Sequence, residues 1–186
     1  MKPNPPLSEK DLLDMLRQPD QQRQAFGILV SQYSEQLYWQ IRRIVLNHDD
    51  ADDVMQNTFL KAWNNLDTFR SDSKLSTWLH RIAINESLDF IRRQKKQAAL
   101  STDEDLRGVA NTLMADRYFD GNEAEALLQA AIAQLPDVQR MVFNMRYYDD
   151  MKYSEISRLL NTSEGALKAS YHIAVKKISQ YFHQHD

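Results

Sequence analysis

The chain has 186 residues, 42% hydrophobic and 26% charged, enough for one medium globular domain or two small ones. With no cysteine it can form neither disulfides nor thiolate metal sites, and no uncharged apolar run nears the ~20 residues of a membrane-spanning helix. The net charge of −3 is unevenly spread: residues 48–69 carry net −4, 70–100 net +4, 101–126 net −5 and 137–186 net +1.

Neighbouring segments of opposite sign point to faces with different partners, the basic one suited to a polyanion. The first seven residues are polar and proline-rich and lack the apolar core of a signal peptide, so a cytoplasmic location without membrane insertion is expected.

Helices are predicted throughout. A short one over 8–16 precedes a long one over 25–45, where Phe26, Leu29, Val30, Tyr33, Leu37, Ile41, Ile44 and Val45 recur at spacings of three and four. Asp49 or Asp50 is expected to cap the next helix, with Asp52 and Asp53 at its positive end. Its apolar stripe is Ala51, Val54, Met55, Thr58, Phe59, Ala62, Trp63 and Leu66. A third helix, 76–96, turns Trp78, Leu79, Ile82, Ala83 and Ile91 inward.

Periodicity is lost over 98–121, an acidic stretch too long for a connection inside a compact domain. A flexible linker is expected there, between domains at 1–97 and 122–186. The second domain fits four helices, 122–134, 137–147, 153–160 and 163–181, with Pro136 in the first turn of the second and Asn161 or Thr162 capping the last. A short helix, a tight turn and a longer helix make a helix-turn-helix, so the fold class is all-α with two small domains.

Three constellations can carry function. In the last helix, Ala166, Leu167, Ala174 and Ile178 are expected to face inward, leaving Glu164, Lys168, Ser170, Tyr171 and His172 for base edges and Lys176 and Lys177 for phosphates. Spacing alone equally allows a helical hairpin with a solvated face. Around the third helix, the loop from Ser71 to Thr77, Trp78 and the cluster Arg92, Arg93, Lys95 and Lys96 offer hydroxyls, an aromatic and cations, as single-stranded nucleic acid requires. Trp78 in the core, and bases at a negative helix end, are the simpler alternatives. The exposed face Asp53, Gln56, Asn57 and Leu60 suits a basic protein surface, although acids at a helix start commonly just offset the dipole.

Catalysis finds little support. None of the five histidines has zinc-protease spacing, and no serine sits in a nucleophile elbow. His183, His185 and Asp186 make at most an adventitious metal site, so neither a metal nor a cofactor is expected.

Taken together, the motifs resemble a known family. Asp50-Ala51-Asp52-Asp53-Val54-Met55-Gln56-Asn57-Thr58-Phe59-Leu60-Lys61-Ala62-Trp63 resembles the second conserved region of extracytoplasmic-function (ECF, group four) sigma factors. Phe69-Arg70 and the run from Ser76 to Asn85 resemble the segment that follows it. Leu135-Pro136, Tyr153-Ser154-Glu155-Ile156 and Ser163-Glu164-Gly165-Ala166-Leu167-Lys168 resemble the family's C-terminal DNA-binding domain.

The resemblance implies a factor that binds core RNA polymerase and directs it to promoters. Asp50, Asp53, Gln56, Asn57 and Leu60 would dock on the clamp helices of the largest subunit, and the second domain on the flap of the second-largest. Arg70, Ser71, Lys74, Ser76, Thr77, Trp78, Arg81, Asn85, Arg92 and Arg93 would capture the minus-ten element, where unstacking a base costs a few kcal/mol. Glu164, Lys168, Ala169, Ser170, His172, Ile173 and Lys176 would read the minus-thirty-five element, and an anti-sigma factor would control the protein. Where many relatives carry several arginines along the recognition helix, this chain has Lys168, Ser170, Ile173 and Val175, which predicts weak intrinsic affinity for DNA. A stand-alone operator-binding helix-turn-helix regulator and a sigma-mimicking interaction module are the other readings. The basic 70–100 segment argues against the mimic.

Overall fold

A computed structural model describes residues 7–69, 73–98 and 122–185, and places eight α-helices and no strand among them. The first four are α1 (Glu9–Leu16), α2 (Gln22–Val45), α3 (His48–Asn64) and α4 (Leu75–Ala98), with a single 3-10 turn at Leu66–Thr68. The second four are α5 (Glu123–Ala133), α6 (Asp137–Tyr147), α7 (Tyr153–Leu160) and α8 (Glu164–His185). Residues 99–121, which hold nearly all of the expected linker, lie outside the described residues.

The apolar stripes do what their spacing predicts. Leu29, Leu37, Ile41, Ile44, Ala51, Val54, Ala62, Leu79 and Ala83 are essentially solvent-free where α2, α3 and α4 pack together, and Leu12 and Leu16 of α1 close one end. Burying each large aliphatic side chain contributes about 1.5–3 kcal/mol, so this interface dominates the stability of the first domain. Trp63 meets Phe26 edge-on at 4.9 Å, a geometry that suits the ring quadrupoles.

The helix ends differ in part from expectation. Asn47, not Asp49 or Asp50, caps α3: its side chain accepts from the backbone N–H groups of both aspartates. Leu46 takes a left-handed conformation (φ 67°) to end α2, which leaves Asn47 extended, and the aspartates then fall in the first turn. Pro136 is the cap residue of α6 rather than part of its first turn. Asn161 ends α7 in the left-handed region (φ 50°), where asparagine is tolerated. The cap of α8 is therefore Ser163, whose Oγ accepts from the Ala166 N–H at 3.3 Å, and not Asn161 or Thr162. Glu9 at the start of α1 accepts the N–H of Leu75 at 2.7 Å, serving the first turn of α4 from 66 residues away.

The two halves are in contact. Met141, Val142 and Met145 of α6, Ile156 of α7 and Leu167 of α8 join the apolar cluster built by the first domain, while Ala131, Ile132, Leu135, Phe143, Ala174 and Ile178 form a smaller one within the second. Helix α6 lies against α2, and the Asn144 amide donates to the Arg43 carbonyl at 3.0 Å.

Candidate functional site

On α3 the buried stripe leaves one clean outer face. Asp53, Gln56, Asn57 and Leu60, at relative positions 0, 3, 4 and 7, are all exposed, and Asp50 is half-buried one turn before them. Leu60 is 56% exposed, an apolar residue amid polar neighbours, as expected of a protein-docking surface.

Helix α4 divides the minus-ten candidates between two sides. Ser76, Thr77 and Arg81 line a cavity of about 310 Å³, opposite Tyr148, Asp149 and Glu155 of the second domain. Trp78 and Asn85, with Ile82, line a second cavity of about 220 Å³ shared with Lys61, Asn65 and Thr68. At 100° per residue, positions 77 and 81 share one face of the helix, and 78, 82 and 85 another. Trp78 is half-buried against Phe69, ring centroids 5.0 Å apart, so it belongs to the core edge and borders the second cavity as well. Lys74 and Arg93 are exposed, and Arg92 pairs with Asp89 at 3.0 Å. Arg70 and Ser71 lie outside the described residues.

The minus-thirty-five candidates all lie on α8. Glu164, Lys168, Ala169, His172, Ile173 and Lys176 are exposed along α8, and Ser170 is half-buried at its margin. Leu167, Ala174 and Ile178 face inward as expected. Two positions are corrected. Ala166 is exposed, and Tyr171 is no base reader, because its ring stacks on Phe143 at 5.7 Å and joins both apolar clusters. Phe143 sits one helix away, so sequence periodicity within α8 carries no sign of that stack.

A polar cluster between the domains was not among the sequence candidates. The Arg43 guanidinium lies over the Tyr148 ring, 3.9 Å from its centroid. Burial lowers the pKa of Arg43, against the pull of Asp149, Tyr148 and Glu125. Burial likewise raises Asp149, against Gln40, Arg43 and His80 around it. His80 is pushed below its usual 6.5 by burial, against the opposing pull of Asp149, with Arg43 adding to the lowering. Each residue was ordinary in sequence, and the cluster exists only because α2, α4 and the turn after α6 meet.

A pH dependence follows from His80. Folding disfavours its charged form, so an opened or unfolded chain takes up a proton more readily than the folded one. Stability should therefore be flat above the ordinary pKa of 6.5 and fall as pH drops below it, until the lowered folded-state pKa is passed. Melting temperatures from about pH 7.5 to about pH 5.5 should decline, and His80→Gln should flatten that slope. An unchanged slope in the variant would assign the pH effect elsewhere.

Among the described residues no group of histidine and carboxylate side chains is placed to hold a metal ion, and no helix is long and apolar enough to cross a membrane.

Comparison with known proteins matches these surfaces to a family. The family model for Sigma-70 region 2 matches residues 29–97, and that for Sigma-70 region 4 matches 125–178. The ECF RNA polymerase sigma factor SigW of Bacillus subtilis is 32% identical over 158 residues, covering 80% of this chain and 83% of its own. The ECF RNA polymerase sigma-E factor of Escherichia coli is 28% identical over 175 residues, covering 88% of each chain. In fold, the chain is similar to the sigma factor RpoE in its complex with the anti-sigma factor NepR from Bartonella quintana, with a TM-score of 0.66 at 20% identity over 84% of this chain and 96% of that one. It is also similar to CnrH in complex with the cytosolic domain of CnrY, with a TM-score of 0.59 at 23% identity over 96% of each chain. Two matching domains in the family's order, and a relative above 30% identity over most of its length, place the chain among the ECF sigma factors, which act with RNA polymerase to initiate transcription at promoters.

Proposed function

We propose that this sigma factor grips core polymerase through the α3 face of Asp50, Asp53, Gln56, Asn57 and Leu60, and reads the promoter with α4 and α8. What supports the reading is the presence in one chain of two unlike exposed faces, acidic and polar on α3, and lysines interspersed with the exposed apolar Ile173 and Val175 on α8. The division into residues 1–97, 98–121 and 122–186 assigns polymerase docking and minus-ten capture to the first domain and minus-thirty-five reading to the second. Core polymerase offers the clamp helices to α3 and the flap to the second domain.

Within the minus-ten set, Trp78 and Asn85 border a recess that can take a base, while Lys74, Arg81, Arg92 and Arg93 are cations for the strand. Stacking contributes about 1–3 kcal/mol per base and offsets the unstacking of the duplex, so no catalytic step is needed. The structurally similar sigma factor RpoE is bound to the anti-sigma factor NepR, and control by an anti-sigma factor, in the cytoplasm, is proposed here.

Run-off transcription with purified core enzyme on genomic fragments tests the reading: specific transcripts should appear only when the protein is added. On a promoter found in this way, Lys168→Ala should weaken use of the minus-thirty-five element by on the order of 1–3 kcal/mol if it makes a good base contact. Lys168 Nζ lies 5.7 Å from the Tyr153 ring centroid, a weak contact that leaves the ammonium available. An unaltered response to minus-thirty-five substitutions would remove Lys168 from the reading set.

A further inference from the structure

We infer that α8 selects thymine in the minus-thirty-five element by apolar contact, with Ile173, in line with Ala166 and Ala169, seated on C5-methyl groups in the major groove. The inference rests on the assignment of α8 to that element and names the base feature it selects. Ala166, Ala169 and Ile173 are all exposed, Ile173 to 44%. A single exposed isoleucine is ordinary on a protein surface. What sets this one apart is the row it stands in. At 100° per residue, positions 166, 169 and 173 fall within about 60° of one another, in one row along the helix. Lys168, His172 and Lys176, spaced by four, make a polar row on one side of it, and Ser170 and Lys177 border the other. Val175 is exposed too, but lies about 200° round the axis from Ile173 and outside the row.

The roll of α8 is fixed. Leu167 and Ala174 are solvent-free and Tyr171 stacks on Phe143, so another side of the helix is pinned to the second domain. Ile173 belongs to neither apolar cluster. Lysines on both banks of the row suit a polyanion. Thymine is the base that offers an apolar feature in the major groove, its C5-methyl, and apolar side chains meet it there. From Ala166 to Ile173 the row rises about 10 Å, or about three base-pair steps. A recognition helix enters the groove by its N-terminal part, so its side chains stand further from the base edges toward the C-terminus. The order Ala, Ala, Ile lengthens the side chain in that direction. Isoleucine also has no donor for the guanine acceptors that lysine and arginine reach, so the row favours A·T pairs by what it lacks as well as by what it fits.

Deoxyuridine in place of thymidine removes the C5-methyl alone and keeps the base pair. On a promoter mapped by run-off transcription, holoenzyme made with the full-length chain should bind less tightly when single minus-thirty-five thymines, on either strand, become deoxyuridine. The loss should be about fourfold for each methyl that the row covers. In Ile173→Ala one of these losses should vanish, and in Ile173→Leu most of it should remain. Because the side chain is exposed, Ile173→Ala should leave the melting temperature and the yield of the complex with core polymerase unchanged. An element without thymine, or deoxyuridine without effect where whole base-pair substitutions impair binding, overturns the apolar contact and leaves α8 as the reader. The same deoxyuridine losses in Ile173→Ala as in the parent remove Ile173 from the contact. Weaker association of Ile173→Ala with core polymerase gives the row to a protein partner and overturns the inference. Base-pair substitutions without effect anywhere in the element would sink the assignment of α8 itself, and the thymine contact with it.

Discussion

Asp53→Lys combined with Gln56→Lys is expected to abolish co-purification with core RNA polymerase while leaving the melting temperature within experimental error. Both side chains are exposed, so the fold loses no buried contact. Two lysines facing a basic docking surface replace attraction with repulsion, which costs several kcal/mol, or on the order of a hundredfold or more in affinity. Leu60 stays in place to keep the apolar part of the contact, so the variant isolates the electrostatic part. Wild-type yield of the complex on a pull-down would remove α3 from the docking surface and leave only the α8 face assigned.

Phe143→Ala should act on stability first and on promoter choice second. Phe143 is 4% exposed and stacked between Tyr147, at 5.1 Å, and Tyr171, at 5.7 Å. Truncating a buried phenylalanine costs about 3–5 kcal/mol, which for a chain of this size lowers the melting temperature by roughly 10 °C. The ring also fixes the rotation of α8 about its axis, because Tyr171 leans on it from the recognition helix. The folded fraction of the variant should therefore lose discrimination at the minus-thirty-five element more than its overall affinity for DNA. Phe143→Leu, keeping volume but not the stack, should recover most of the stability. A melting curve unchanged by the alanine would mean that the α6–α8 contact is not the keystone of the second domain.

Helix positions were legible because burial on α2, α3 and α4 follows a 3.6-residue period over many turns, and α6 and α7 start and stop where the sequence predicts. Caps were less legible. Asn47 wins over the two aspartates because a left-handed leucine ahead of it sets the backbone, and nothing in the residue types announces that turn. The α3 face could be read because one helix decides it alone. The α4 set could not be fully read, since whether Arg81 is free or paired depends on Glu155, 74 residues further on. Tyr171 and the Arg43 cluster failed for the same physical reason: their environment is made by elements whose contact no local pattern encodes.

The hydrogen bond from the Leu75 N–H to Glu9 has a consequence for how the protein can be handled and how it is made. On the ribosome the N-terminal segment emerges long before the helix whose opening turn it completes, so it must wait for its distant acceptor role. A proteolytic nick or a bulky fusion at the front of the chain would fray that opening turn, immediately ahead of Ser76 and Thr77.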